Sequence, residues 1–457
     1  MSSEKHVAVL AFPFGCHPLP LANLLRKLAE TVTNVHFSFF STATSNRDLF
    51  PPSSRAELPP NIKVYDIDNG LPAGHHGERK EKLVEQMDDI DNGLPAGHHG
   101  VRKEKLEEQM DAFLMQAQKS YQAAIDAAER DARKKVSCLF SDAFLLPAGE
   151  IAVEMHVPWV TFWVPSPCFL SAYVHAEVLR ELYHKTSCAG MAVAEAETDD
   201  KALEMFRHML PCVAAVIMNS YVEANPAPLI ADLKSKFKIL LLVGCSTVSF
   251  SPPPVLTSSD SDPTGCLMWL DTKDPRTVAY VCFGTVAVPS PTELSSLAEA
   301  LEFTGTPFLW SMKEHMMVHL PEGFLERMGQ RGKIVSWAPQ SRVLSHPACG
   351  VHVTHCGYNS VFESVAGGVP MICKPFWTDN MMNGRLVKEW WKIGVGVEGG
   401  TITKSGMVKA LEVVLRSEDG KEMRKKAGEL RERLVDASGP GGSVRADFKS
   451  LVEFIST

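Results

Sequence analysis

The chain has 457 residues, 22% of them charged and 45% hydrophobic, with a formal net charge of −8 at pH 7. That length favours two domains over one, and the acidic balance argues against nucleic acid, whose recognition needs a basic footprint. The 11 cysteines are odd in number and never spaced C-x-x-C, which argues against a disulfide framework or a zinc site and fits a reducing, cytoplasmic compartment. No apolar run approaches the ~20 residues of a membrane helix.

In chain order, strands are expected at 7–12, 35–40, 62–67, 136–141, 159–163 and 213–219. The first of these is β-branched and closed by Pro13, so it reads as a buried strand rather than a leader. Amphipathic helices are expected at 19–30, at 146–155 and from 163 to about 183. Strand–helix alternation of this kind implies a doubly wound parallel sheet. Residues 243–263 are rich in Ser, Pro and Thr and include Ser251-Pro252-Pro253-Pro254, a linker composition. Alternation then restarts, with strands at 277–282, 307–310, 332–336, 350–354 and 370–373 and helices at 292–303, 360–366 and 380–391. From 404 onward the chain reads as charged helix. The organisation is therefore an N-terminal domain over 1–242, a linker over 243–263 and a second domain over 264–440. A last helix over 441–457 is expected to return to the first domain. The cleft between two such α/β domains is the default binding site.

Residues 66–88 are repeated almost verbatim as 89–111, differing only at Glu78/Val101 and Val84/Glu107. Two copies do not make a solenoid; each is a Gly/Pro/His loop followed by a charged helical piece, and the repeat reads as a tandem duplication in a surface loop after the third strand. Its His pairs, His75-His76 and His98-His99, have no acidic or Cys partner at ligand spacing, so no metal site is assigned.

The strongest chemical signal runs from Trp337 to Asn380. A strand ending at His355-Cys356-Gly357 turns into a helix opened by Tyr358-Asn359-Ser360, an arrangement whose backbone N–H groups and dipole favour phosphate. His355, Asn359 and Ser360 add side-chain donors, Glu363 one turn on suits ribose hydroxyls, and Trp337 at another strand end suits a base. Asp379 and Asn380 offer hydroxyl-binding groups. Singly, each has a plain structural reading as core or solvated side chain. Their joint placement at carboxyl ends of strands favours a nucleotide site.

This box resembles that of the plant UDP-dependent glycosyltransferases of secondary metabolites. Further stretches at 6–14, 137–144, 283–285 and 383–385 look most like the flavonoid 3-O-glycosyltransferase branch. The resemblance implies the GT-B architecture, two Rossmann-like domains whose parallel sheets face each other across a cleft. It places UDP against Thr285, Trp337, Ala338, Gln340, His355, Gly357, Asn359, Ser360 and Glu363, with Trp337 on uracil, Gln340 and Glu363 on ribose and the His355–Ser360 turn on the diphosphate. It implies that His17 is the general base and Asp142 its orienting carboxylate, with inversion at the anomeric centre and no metal. UDP-sugar is then a co-substrate, no cofactor or protein partner is required, and the acceptor is a small aromatic hydroxyl compound such as a flavonol. Phe14, Gly15, Phe144 and Trp377 are candidate acceptor contacts.

Two departures bear on the donor. Val164 stands where glucose-using relatives carry a Thr facing the sugar 6-hydroxyl, and Asn380 where they usually carry Gln. A methyl in place of a donor leans the expectation toward UDP-rhamnose, with UDP-glucose as the alternative. Tyr358 replaces the usual Trp, and the acidic segment 184–210 is short for the branch. Gly394-Val395-Gly396-Val397-Glu398-Gly399 matches a dinucleotide fingerprint, but it lies in a strand after a helix, against an oxidoreductase. A non-catalytic UDP-sugar-binding protein is the different-class alternative.

Overall fold

The computed structural model describes residues 5–51, 55, 57–68, 99–177, 212–248, 262–284, 288–376 and 378–457, with backbone alone for 99–109 and 378. The chain forms two compact units. One holds residues up to Val174, the stretch that ends at Ser246, and Gly441–Thr457; the other ends at Pro440.

The first unit is built on seven short apolar strands: β1 (Lys5–Leu10), β2 (Val35–Thr42), β3 (Ile62–Ile67), β4 (Cys138–Asp142), β5 (Trp159–Trp163), β6 (Ala215–Met218) and β7 (Leu240–Leu242). They pair in parallel in the order β3-β2-β1-β4-β5-β6-β7. Strands such as β4 and β5 are buried along their whole length, as expected when helices cover both faces of a parallel sheet. Helix α1 (Pro18–Thr31) starts with Pro18 and Pro20, which its first turn tolerates, and buries Leu21, Leu24, Leu25 and Leu28. These meet Val7, Val9, Phe37 and Phe39 in one core.

The second unit has six strands, β8 (Val278–Cys282), β9 (Phe308–Ser311), β10 (Gly332–Val335), β11 (Cys349–Thr354), β12 (Met371–Cys373) and β13 (Gly394–Gly396), ordered β10-β9-β8-β11-β12-β13 and all parallel. Among the described residues no helix is long and apolar enough to cross a membrane.

Three features differ from the sequence reading. A long helix, α2 (His99–Ala132), begins in the second copy of the repeat and extends 34 residues. Strand β7 follows β6 before the Pro-rich stretch; the last helix packs beside it, where Asp447 accepts from the Leu242 N–H (2.8 Å) and Phe448, Leu451 and Ile455 enter the first core. The helix expected over 380–391 is α-helical at Thr378–Arg385 and then π-helical at Leu386–Trp391. Most of the duplication, with His75, His76 and His98, lies outside the described residues, as do 249–261 of the expected linker and the whole 184–210 segment.

Candidate active site

In each sheet the strand order reverses once, and open parallel sheets present their ligand sites beyond the carboxyl ends of the strands at that point. In the first unit the reversal falls between β1 and β4, which run in register from Val7↔Cys138 to Leu10↔Ser141. The chain leaving β1 turns at Gly15 (φ +59°) and delivers His17 to the start of α1. Asp142 ends β4. The two meet: His17 Nδ1 lies 3.0 Å from Asp142 Oδ2, across 125 residues of sequence.

Asp142 is fully buried, while the His17 side chain keeps 17% of its surface exposed. The other carboxylate oxygen accepts the Phe144 N–H (2.8 Å), which fixes the direction of the pair. A carboxylate at Nδ1 holds the proton there and leaves the acceptor lone pair on Nε2, the tautomer a general base requires. Aromatic rings surround the imidazole. Phe144 approaches it edge-on at 4.7 Å and Phe12 at 5.5 Å, and Phe14 packs against Phe12 and against Phe113 of α2. Below them the buried Tyr121 hydroxyl donates to the Ala11 carbonyl (2.5 Å). Phe113 and Tyr121 escaped the sequence reading, because the charged helical piece expected in the second copy of the repeat was not carried past residue 111, whereas the helix runs to Ala132.

In the second unit the reversal falls between β8 and β11, whose ends pair as Cys282↔Thr354. Gly284 follows β8 with φ +76°, and Cys356 follows β11 with φ +67°. A left-handed Cys is costly, and the turn is held by Thr354 Oγ1 on the Cys356 N–H (3.2 Å) and by Asn383, which donates to the Cys356 carbonyl (3.0 Å). A Cβ on Gly284 would stand 2.9 Å from Cε1 and Nε2 of His355, and one on Gly357 would overlap Nε2 outright. Only glycine fits at either position with the imidazole where it is. Burial lowers the His355 pKa to about 4, so the ring is neutral at pH 7. Its Nδ1 is buried and has no hydrogen-bond partner among the described residues.

Helix α4 (Tyr358–Gly367), so numbered after α3 (Pro291–Thr304), opens at Gly357 with Asn359 and Ser360 in its first turn. A helix supplies no internal acceptors for its first N–H groups, and its dipole favours an anion there. Gln340 Nε2 donates to Ser360 Oγ (2.9 Å) and to Glu363 Oε2 (2.6 Å). Burial raises the Glu363 pKa, opposed by the hydrogen bonds from Ser341 and Gln340. Trp337 is 57% exposed, unusual for its size, and Ala338 beside it is buried. At the start of α5 (Thr378–Arg385), Asn380 donates to Asp379 (3.2 Å) while its own Oδ1 is buried without a partner among the described residues.

The structure thus brings His17 and Asp142 together in one unit, with Phe14, Gly15 and Phe144 beside them. It brings Gln340, Ser360 and Glu363 together in the other, near the turn with His355, Gly357 and Asn359. Thr285 and Trp377 lie outside the described residues. Val164 differs from expectation. It is 3% exposed and belongs to the core formed with Val9, Ala11 and Leu21, so its methyl groups pack against protein. The lean toward rhamnose loses that support.

The family described as UDP-glucoronosyl and UDP-glucosyl transferase matches residues 131–430. The chain belongs to this UDP-glycosyltransferase family. It is 39% identical to a flavonol 3-O-glucosyltransferase of Actinidia chinensis var. chinensis, over 100% of this chain and 98% of the relative. It is 38% identical, over the same shares, to an anthocyanidin 3-O-galactosyltransferase of Rhododendron delavayi. A crystal structure of UDP-glucose:anthocyanidin 3-O-glucosyltransferase in complex with UDP superposes with a TM-score of 0.86 at 38% identity, each chain covered completely. The two parallel α/β units of this glycosyltransferase are the GT-B architecture.

Proposed function

We propose that this UDP-glycosyltransferase transfers a hexosyl group, glucose or galactose, from its UDP derivative to the 3-hydroxyl of a flavonoid, in the cytoplasm and with inversion. The His17–Asp142 couple carries the proposal. His17 Nε2 takes the proton of the acceptor hydroxyl as that oxygen attacks the anomeric carbon, and Asp142 stabilises the imidazolium that forms. The bond from the anomeric carbon to the diphosphate breaks as the new one forms. The charge that develops on the leaving group meets the amino end of α4 and the donors of His355, Asn359 and Ser360.

The acceptor class rests on the relatives, which are named for flavonols and anthocyanidins, and on the ring-lined surroundings of His17. For the donor, those relatives are named for glucose and galactose. The test is mass spectrometry of products from UDP-glucose, UDP-galactose and UDP-rhamnose, each with flavonols, anthocyanidins and their 3-deoxy analogues. A hexoside on 3-hydroxylated acceptors alone is expected. Transfer confined to UDP-rhamnose, or equal transfer to acceptors lacking the 3-hydroxyl, would overturn the reading.

A further inference from the structure

Two residues outside the sequence reading complete the polar group around Glu363. The hydroxyl of Tyr280, on β8, donates to Gln340 Oε1 (3.2 Å), and the hydroxyl of Ser341 donates to Glu363 Oε1 (2.6 Å). Gln340 meanwhile spends its amide N–H groups on Glu363 Oε2 and Ser360. A reversed amide would set its oxygen against the Glu363 carboxylate, so Tyr280 supplies the donor that matches the only favourable orientation. Tyr280 is itself rigid: it is 1% exposed, and its ring stacks on that of His352 (centroids 5.1 Å apart, 26° between planes). His352 in turn bonds Ser364 of α4 (2.7 Å), which donates to the Ser360 carbonyl (3.0 Å).

We propose that Tyr280 and Ser341 are positioning residues that make the site selective for a ribose diol. They hold the Gln340–Glu363 pair so that each carboxylate oxygen, already receiving one protein donor, keeps its second lone pair aimed at a ribose hydroxyl. The inference rests on the reading that this group meets the ribose of UDP. The two donors on the carboxylate also oppose the effect of burial, which by itself would favour the protonated acid. A protonated carboxyl would serve a hydroxyl donor less well.

The experiment measures dissociation constants for UDP, 2′-deoxy-UDP and 3′-deoxy-UDP by calorimetry on the full chain. The proteins are the wild type and the variants Tyr280→Phe, Ser341→Ala and Ser341→Thr. The wild type should favour UDP over at least one deoxy analogue by about tenfold or more. Tyr280→Phe and Ser341→Ala should each weaken UDP by about fivefold while barely changing the deoxy analogue, so that the ratio collapses. Ser341→Thr, which keeps the hydroxyl, should restore it. Because Ser341 lies on the surface, its Ala variant keeps the test valid even if Tyr280→Phe unfolds. If the variants weaken all three ligands alike, or leave the ratio at its wild-type value, the two residues do not position the pair. If the wild type binds UDP and both analogues equally, the ribose reading itself has failed.

Discussion

Replacing Gly357 by alanine adds one methyl group at the tightest point of the diphosphate turn. Its backbone is extended (φ −59°, ψ 138°), so alanine is conformationally at ease and the effect is purely steric. The new Cβ would overlap His355 Nε2 and stand 2.9 Å from Cε1, so the ring must retreat by roughly 1 Å to reach an ordinary separation near 3.5 Å. It has little room to do so, because its Nδ1 side is already buried against protein. Overpacking of this kind costs about 1–3 kcal/mol, and loss of one hydrogen bond to a charged ligand about 1.5–3 kcal/mol. Gly357→Ala should therefore melt several degrees lower and bind UDP about 10- to 100-fold more weakly. Gly428→Ala is the control: nothing lies within 4 Å of its Cβ position, and it should match or exceed wild-type stability. Calorimetry with UDP and a thermal melt on both variants decide the matter. UDP affinity within twofold of wild type for Gly357→Ala would show that the His355 ring does not serve the site.

Trp337→Ala should weaken UDP by about 1–3 kcal/mol through lost base stacking. The side chain is largely exposed, so its melting temperature should stay near wild type; an unchanged dissociation constant would remove the tryptophan from the site. Val164→Thr should destabilise the protein by about 1–3 kcal/mol, since it buries a hydroxyl in an apolar core, and leave the ratio of UDP-glucose to UDP-rhamnose turnover unchanged. A shift of that ratio by tenfold would reinstate Val164 as a donor contact. Acid should destabilise the second unit as well. Burial lowers His352 to about 3 and His355 to about 4, so between those values and 6.5 the unfolded chain binds more protons than the folded one. Stability then falls as pH drops through 6.5 toward 4. A melting temperature that rises over that interval would contradict this.

The fold was legible where strands are apolar runs soon followed by Gly or Pro, as at β1 and β8. It was obscured where the local pattern is weak. Strand β7 is three leucines long, and α2 carries a scattered apolar face behind a charged repeat. The cradle could be read because its parts lie within one short stretch, from Trp337 to Glu363. His17 and Asp142 were named from separate strand ends, but their contact depends on β1 and β4 being neighbours, which only the sheet order decides. Tyr280 and Ser341 were missed for a related reason. Tyr280 lies 60 residues from Gln340 and reads as a core strand residue, and Ser341 reads as a surface serine until Glu363 is placed over it. Val164 misled because matching a position to that of relatives says nothing about which way its side chain points.

The most direct test of the catalytic couple is Asp142→Asn, assayed for kcat with a saturating flavonol and UDP-hexose, alongside UDP affinity by calorimetry. An amide at that position presents a donor or a weaker acceptor to His17 Nδ1 and disfavours the required tautomer; in a comparable catalytic triad such a change lowers kcat by about 10⁴. A fall in kcat of at least about 10³, with UDP affinity unchanged, is the predicted result. A variant that keeps kcat within tenfold of wild type would contradict the account.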